Sequence, residues 1–482
     1  MTFRQAYYDE PLLFEKRSQD DVPVDVKDLV PPKLRRERLR IPNLPEHDVV
    51  RHFTRLSQMN FGIDTGFYPL GSCTMKFNPK FAEELAALAT VARIHPDQDE
   101  STVQGALRLL HELQRALGVI AGMDAVTLQP AAGAQGELTG LLLAAAYHRD
   151  RGESRTQVVL PDTAHGTNFA SAGMLGFEIV EIPSKGGRVD SKALEAAVGP
   201  KTLAFMITNP NTLGIFEDHV LELADIVHGT GALLYYDGAN LNAILGKTTP
   251  GKMKFDIVHF NLHKTFTTPH GGGGPGAGPV GVRAFLEPYL PYPLIVHDGP
   301  RYRLDYDRPK SIGKVRAWYG NFALLVRAYA YILRKGADGL TAASERAVLN
   351  ANYLKARVET ALAVPYPGLR KHEFVASGAA LGAKGVRTVD VAKRLMDFGF
   401  HPPTVYFPHL VEEAMMIEPT ETETKETLDA FADVLARIVQ EDPRVLHEAP
   451  HETAVARVDE VKAARDAILS WRTATSRKPA SL

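Results

Sequence analysis

Cysteine is almost missing from this sequence: Cys73 is the only one in 482 residues. No internal disulfide and no cysteine-rich metal site can be built from it, and a reducing compartment is the natural reading. A long hydrophobic run is missing too. The most apolar helical stretch, residues 138–147, is about half the roughly twenty residues that cross a bilayer, so no membrane span is expected. The opening segment, MTFRQAYYDEPLLFEKR, mixes acids with bases. It has neither the apolar centre of a signal peptide nor the acid-poor bias of a transit peptide. Nor is there an excess of one charge, since 55 Lys and Arg side chains face 57 Asp and Glu. That balance argues against long-range attraction to nucleic acid or anionic lipid. These absences describe a cytoplasmic protein that recognises any anion locally.

What is present is the composition of an ordinary enzyme, 45% hydrophobic and 23% charged. The length exceeds what one hydrophobic core usually supports, so two or three domains are expected. Residues 1–80 read as an irregular N-terminal arm, broken by Val30-Pro31-Pro32, Pro42 and Pro45. Its basic run at 33–40 is interrupted by Glu37 and has no interleaved aromatic residues, which fits a solvated or partner-facing surface rather than a nucleic-acid site. From about 101 to 290, helical stretches alternate with short runs rich in Val, Ile, Leu and Tyr at 157–160, 203–208, 232–236 and 255–260. That alternation predicts an α/β fold with a mainly parallel sheet covered by helices, in a large domain at 81–340. A long helix over about 315–363 is expected to cross into a smaller C-terminal α/β domain at 341–470, which holds another helix at 387–398. Residues 471–482 read as a flexible tail.

In a parallel sheet, ligands gather at the carboxyl edge of the strands, and the residues with chemistry fall just after these runs. Lys264 follows an apolar strand and precedes the glycine-rich segment 267–276. A lysine held at a sheet edge can lose its hydration, which favours the neutral amine that Schiff-base chemistry needs. Most lysines merely solvate a surface, and position alone does not choose. The glycines at 271–274 permit close backbone approach, yet no Gly-Lys-Ser or Gly-Lys-Thr follows them, and Pro275 and Pro279 break any dinucleotide-type helix. A structural turn explains each of them equally well. Asp237 ends the strand at 232–236, where Gly238-Ala239-Asn240 turns the chain. Its carboxylate can pair with a protonated pyridine nitrogen, a bond worth roughly 1.5–3 kcal/mol that keeps the ring an electron acceptor. It can equally cap a helix.

His165, after the strand at 157–160, can lie over a heteroaromatic ring or be an ordinary loop histidine. Gly133-Ala134-Gln135 fall between a strand at 125–128 and a helix starting near Glu137. Exposed amides there favour phosphate, although any short strand-to-helix loop favours small residues. His259 and His263 have the spacing of helical zinc ligands, but on a strand their side chains would stand about 13 Å apart at roughly 3.3 Å per residue. The Glu that follows the first His in the helical zinc motif is also missing, so no metal site is expected.

Together these segments resemble the glycine cleavage system P-protein family, fold-type I enzymes dependent on pyridoxal phosphate (PLP), from about Pro42 onward. The most specific match is Asn261-Leu-His-Lys-Thr265 through Pro269-His-Gly-Gly-Gly-Gly-Pro-Gly276, which resembles the family's cofactor-lysine signature. Thr65-Gly-Phe-Tyr-Pro-Leu-Gly-Ser-Cys-Thr-Met-Lys76, Tyr236-Asp-Gly-Ala-Asn-Leu-Asn242, Asp397-Phe-Gly-Phe-His-Pro-Pro-Thr404 and Met416-Ile-Glu-Pro-Thr-Glu421 are further matches. Phe169 departs from the pattern, which has proline there.

The resemblance implies that Lys264 forms a covalent Schiff base with PLP, that Asp237 pairs with the pyridine nitrogen and that His165 stacks on the ring. Amides of Gly133, Ala134 and Gln135 would hold the phosphate, with Asn209, Ala239 and His263 as further cofactor contacts. The implied reaction is decarboxylation of glycine, releasing CO2, with transfer of the aminomethyl group to the lipoyl arm of H-protein. The length matches the lysine-bearing subunit of the two-chain form. A lysine-free P-protein subunit 1 would be its partner, two copies of each making a heterotetramer. The alternatives are another PLP-dependent amino-acid lyase or aminotransferase, since a cofactor site alone does not select the bond that breaks, and an inert assembly subunit, which the intact lysine signature disfavours.

Overall fold

Strands buried on both faces read as continuous apolar runs rather than alternating ones. The computed structural model, which describes residues 3–16, 31–34, 42–271, 276–470 and 473, turns those runs into a seven-stranded sheet. Its first strands are β1 (Ala125–Thr127), β2 (Gln157–Pro161) and β3 (Glu178–Ile182), followed by a short hairpin of β4 (Ser184–Lys185) and β5 (Arg188–Val189). The sheet continues with β6 (Thr202–Thr208), β7 (Leu233–Gly238), β8 (Ile257–Phe260) and β9 (Val280–Val282). The order across it is β1-β9-β8-β7-β6-β2-β3. Strands β3, β2, β6, β7 and β8 are parallel, while β9 runs antiparallel to both β8 and β1. The mainly parallel α/β sheet is as expected.

Alternate residues of each central strand feed two cores. Phe205, Ile207, Leu234 and Tyr236 pack with the helices Gln104–Ala121 and Val220–Gly229. Ala204, Met206, Leu233 and Tyr235 pack with Gly133–Asp150 and Gly166–Met174 on the other face. A hairpin of β10 (Leu294–Asp298) and β11 (Arg301–Asp305) follows the sheet. A third core, with Phe374, Val391, Leu395, Phe431 and Leu435, lies between a small antiparallel sheet and the helices Thr388–Asp397 and Lys425–Ile438. That sheet comprises β12 (Phe374–Ser377), β13 (Thr404–Val405) and β14 (Ala414–Ile417), with β14 in the middle. The helix Phe322–Val358 links the two regions: Leu325 and Tyr331 belong to the first core, Leu354 and Val358 to the third.

Three expectations are corrected. The arm is not irregular throughout, because Glu46–Gln58 is a helix. Pro45 precedes its first turn, where proline is tolerated, and Glu46 and Asp48 favour its positive N-terminus. The long helix begins at Phe322 rather than 315, because the backbone of Val315 is engaged elsewhere: its N–H donates to Gln129 Oε1 (2.7 Å) and its carbonyl accepts from Gln135 Nε2 (2.7 Å). The helix is also interrupted at Gly336, whose φ of 61° is left-handed. The helix expected near Glu137 starts at Gly133, directly after Ala132. The glycines 272–274, residues 35–40 of the basic run and all of the tail but Thr473 lie outside the described residues. No described helix is long and apolar enough to cross a membrane.

Candidate functional site

Because β2, β6, β7 and β8 are parallel, their carboxyl ends share one edge of the sheet, and His165, Asn209, Asp237 and Lys264 stand at or just beyond those ends. Lys264 sits on a single helical turn, Leu262–Thr265, immediately after β8. Its backbone N–H donates to the Asn261 carbonyl (3.0 Å), and the residue is 8% exposed. Among the described residues its Nζ has neither a hydrogen-bond nor an ion-pair partner. The charge is felt widely: burial, then Lys264, holds the imidazole of His165 below its ordinary range and that of His270 down to about 4. His263, beside the lysine, is pushed down to about 2 by burial, Lys264 and His270, whose ring centre is 4.7 Å away.

Asp237 is buried at the end of β7. Its Oδ1 accepts from the Ala239 N–H (2.9 Å) and lies 3.2 Å from His259 Nε2, while Oδ2 accepts from Asn168 Nδ2 (3.0 Å). Burial pushes this carboxyl up, but the His259 charge and these hydrogen bonds outweigh it and hold the group below the usual carboxylate range. Burial likewise disfavours charge on His259, and Asp237 overrides it to raise the imidazole. Asp237 and His259 therefore form a buried ion pair, with Oδ2 left room for one more donor.

The helix Gly133–Asp150 opens beside this pair. The N–H groups of Gly133, Ala134 and Gln135 have no acceptor among the described residues, as the first turn of a helix requires. Gly133 allows the helix to approach the lysine segment, since a Cβ there would lie 2.2 Å from Asn261 Oδ1. An unpaired buried amine, three unengaged amides and an ionised carboxylate with a spare acceptor site fit the aldehyde, phosphate and ring nitrogen of PLP. Asn209 is differently engaged: its Oδ1 accepts from the Glu217 N–H (3.0 Å) and closes the loop after β6. Phe169 is half-buried and packs against the core on the Tyr235 face of the sheet. His259 and His263 do not share a strand as the spacing argument assumed, because only His259 is on β8.

Family models place the same geometry in context. Residues 137–273 match the aminotransferase class-V model and residues 343–458 the C-terminal domain of glycine dehydrogenase. A probable glycine dehydrogenase (decarboxylating) subunit 2 of Thermoplasma acidophilum is 58% identical over 475 residues, covering 98% of this chain and 100% of the relative. The chain belongs to the glycine dehydrogenase (decarboxylating) subunit 2 family. A further family member, from Pyrococcus furiosus, is 57% identical over 98% of this chain and 97% of its own length. Among solved structures, glycine decarboxylase (P-protein) of the glycine cleavage system, in inhibitor-bound form, superposes with a TM-score of 0.69 over 86% of this chain and 93% of that one, at 23% identity. A sphingosine-1-phosphate lyase of Burkholderia pseudomallei has a TM-score of 0.60 at 16% identity, covering 85% of this chain and 92% of that one. The fold is that of the fold-type I PLP-dependent enzymes.

In this chain the separated motifs interlock around the lysine. The loop at 72–74, with Ser72 and Thr74 at positive φ (64° and 52°), is pinned by two buried carboxyls that sequence reasoning left without a role. Glu373 Oε2 accepts from the Ser72 N–H (2.7 Å); Glu418 accepts from the Thr74 N–H (2.8 Å) and hydroxyl (2.6 Å). Burial pushes Glu418 up to about 7 and Glu373 well above its ordinary value. Lys76, also buried, donates to Glu421 Oε1 (2.7 Å) and to the carbonyl of Thr265 (3.1 Å), the residue after Lys264. Thr404 Oγ1 donates to the Gly71 carbonyl (2.8 Å), and Asn240 Nδ2 reaches Glu373 Oε1 (3.5 Å). All of these residues except Glu373 lie inside the five quoted motifs, which was the only available signal.

Proposed function

We propose that this chain is the PLP-bearing subunit of a glycine decarboxylase, releasing the glycine carboxyl as CO2 and passing the aminomethyl group to the lipoyl arm of H-protein. The observation that carries the reading is the unpaired buried amine of Lys264 at the same sheet edge as the ionised, buried Asp237. Bound PLP would supply an electron-accepting ring that stabilises the charge left on the glycine α-carbon as CO2 departs.

Every other element is a task of the chain's own residues. Lys264 would hold the cofactor covalently, and Asp237, kept ionised by His259 and steadied by the Ala239 N–H, would pair with its ring nitrogen. The amides of Gly133, Ala134 and Gln135 would bind its phosphate at the positive end of an 18-residue helix. His165 would stack on the ring. His263, with its proton affinity suppressed, stays neutral beside Lys264, and Asn209 would act by fixing the loop after β6. We read residues 1–80 as an arm, 81–340 as the cofactor domain and 341–470 as the small domain. The partner is a lysine-free subunit, two copies of each, in the cytoplasm; the word "subunit" in the relatives' names supports a partner.

Exchange of labelled bicarbonate with the glycine carboxyl tests the reading. The chain mixed with the lysine-free subunit and lipoylated H-protein should exchange, and exchange should require PLP. Turnover of another amino acid with none of glycine would overturn it.

A further inference from the structure

Glu137 is a buried carboxyl in the second turn of the helix Gly133–Asp150, 4% exposed, and the site chemistry above does not use it. Its Oε1 is 2.8 Å from Thr167 Oγ1, and its Oε2 accepts from the Ser171 hydroxyl (3.1 Å). Thr167 Oγ1 is in turn 2.9 Å from His165 Nδ1, and the Thr167 N–H donates to that same nitrogen (3.2 Å).

The Thr167 hydroxyl is within donating reach of both Glu137 Oε1 and His165 Nδ1 but has one proton, and the contacts at Nδ1 decide where it goes. A backbone N–H aimed at Nδ1 makes Nδ1 an acceptor, so a neutral His165 carries its hydrogen on Nε2. Two lone-pair atoms at 2.9 Å repel unless a proton lies between them, so the Thr167 hydroxyl donates to Nδ1, whose single lone pair it shares with the longer bond from the Thr167 N–H. That hydroxyl has a single proton. The short contact between Thr167 Oγ1 and Glu137 Oε1 therefore needs its proton from the carboxyl. The surroundings agree. Burial and the neighbouring charge of Asp237 push the Glu137 carboxyl up, against the opposing pull of His259 and of the Asn168 hydrogen bond; with the Thr167 proton on Nδ1, Thr167 no longer donates to the carboxyl. Around His165, burial and Lys264 disfavour a second proton, and the charge of Asp237 opposes them.

We propose that Glu137 is a positioning residue: as a neutral acid it holds His165, through Thr167, in the Nε2–H tautomer and so makes the imidazole a fixed hydrogen-bond donor. Nδ1 is occupied, and the one remaining ring nitrogen carries hydrogen. His165 can then bond an anionic oxygen, of the cofactor or of an amino-acid carboxylate, but it cannot take a proton as a general base. Only the identity of that oxygen rests on the PLP reading; the tautomer does not.

The test uses full-length apo-protein with 15N-labelled histidine, the His165 signals being assigned by their loss in His165→Asn. The expected result is a protonated Nε2 and an unprotonated Nδ1. Infrared difference spectra between wild type and Glu137→Gln should show the C=O stretch of one protonated carboxylic acid lost in the variant. Glu137→Gln, which resembles the neutral acid, should keep the tautomer, whereas Thr167→Val should let His165 sample both. A protonated Nδ1 in wild type, a tautomer change in Glu137→Gln, or no carboxylic-acid band would overturn the proposal. A wild-type protein with the expected tautomer that fails to bind added PLP would overturn the functional reading alone.

Discussion

Lys76→Met tests how the motif at 65–76 supports Lys264. The Lys76 side chain is 2% exposed, donates to Glu421 Oε1 and the Thr265 carbonyl, and stands over the Tyr331 ring at 5.5 Å. Methionine keeps the apolar stem but leaves a carboxylate that is 8% exposed, whose Oε2 already lacks a partner, and strips the Thr265 carbonyl of its donor. Breaking one side of a buried ion pair costs about 3–5 kcal/mol, because the remaining charge has no compensation. Removing both charges costs less, so Lys76→Met with Glu421→Gln should recover part of the loss. Urea unfolding gives the global term. Hydrogen exchange at Phe266, whose amide bonds the Leu262 carbonyl at 3.0 Å, gives the local one. A 3 kcal/mol loosening of the turn raises exchange on the order of a hundredfold. A single variant within about 0.5 kcal/mol of wild type, or a double variant equal to the sum of the singles, would refute the idea that the pair braces the lysine turn.

The pH dependence follows from Glu418, whose carboxyl is pushed from the usual 4.5 up to about 7, chiefly by burial. The folded state therefore holds a proton that the unfolded state has released, so stability falls as pH rises from about 4.5 to about 7, by about 3 kcal/mol at most. Glu418→Gln should flatten that part of a urea-midpoint profile; an unchanged slope would reject the assignment. Asp237→Asn removes the charge expected to face the ring nitrogen and should weaken PLP binding about tenfold to a hundredfold, measured by absorbance titration, as loss of a charge-assisted bond worth 1.5–3 kcal/mol requires. Gly133→Ala should also weaken PLP binding, because the new Cβ meets Asn261 Oδ1 at 2.2 Å and moves the helix start away from the lysine segment; an unaltered titration would argue against a phosphate site there.

Much of this architecture was legible because burial on both sheet faces leaves a plain mark. Strands β6 and β7 are apolar along nearly their whole length, and the residues that break the pattern at their ends, Asp237 among them, stand at the carboxyl edge of the sheet. The position of Lys264, just beyond the apolar run of β8, was legible for the same reason. Glu373 and Glu418 were not, because their partners Ser72 and Thr74 lie 301 and 344 positions away. An isolated glutamate beside an apolar run looks solvated until the fold encloses it. Glu137 resembled an ordinary acid near a helix N-terminus, and nothing local reveals that Thr167 links it to His165. The helix Glu46–Gln58 was hidden by reading Pro42 and Pro45 as breakers of all that follows, when proline ahead of a first turn permits a helix to begin.

The most direct measurement of the central claim is the site of cofactor attachment. Protein incubated with PLP, reduced with borohydride, digested and mapped by mass spectrometry should carry the phosphopyridoxyl mass on the peptide containing Lys264, and Lys264→Ala should carry none there while remaining folded. Label on a different lysine, or a folded wild-type chain that takes up no label, would contradict the account.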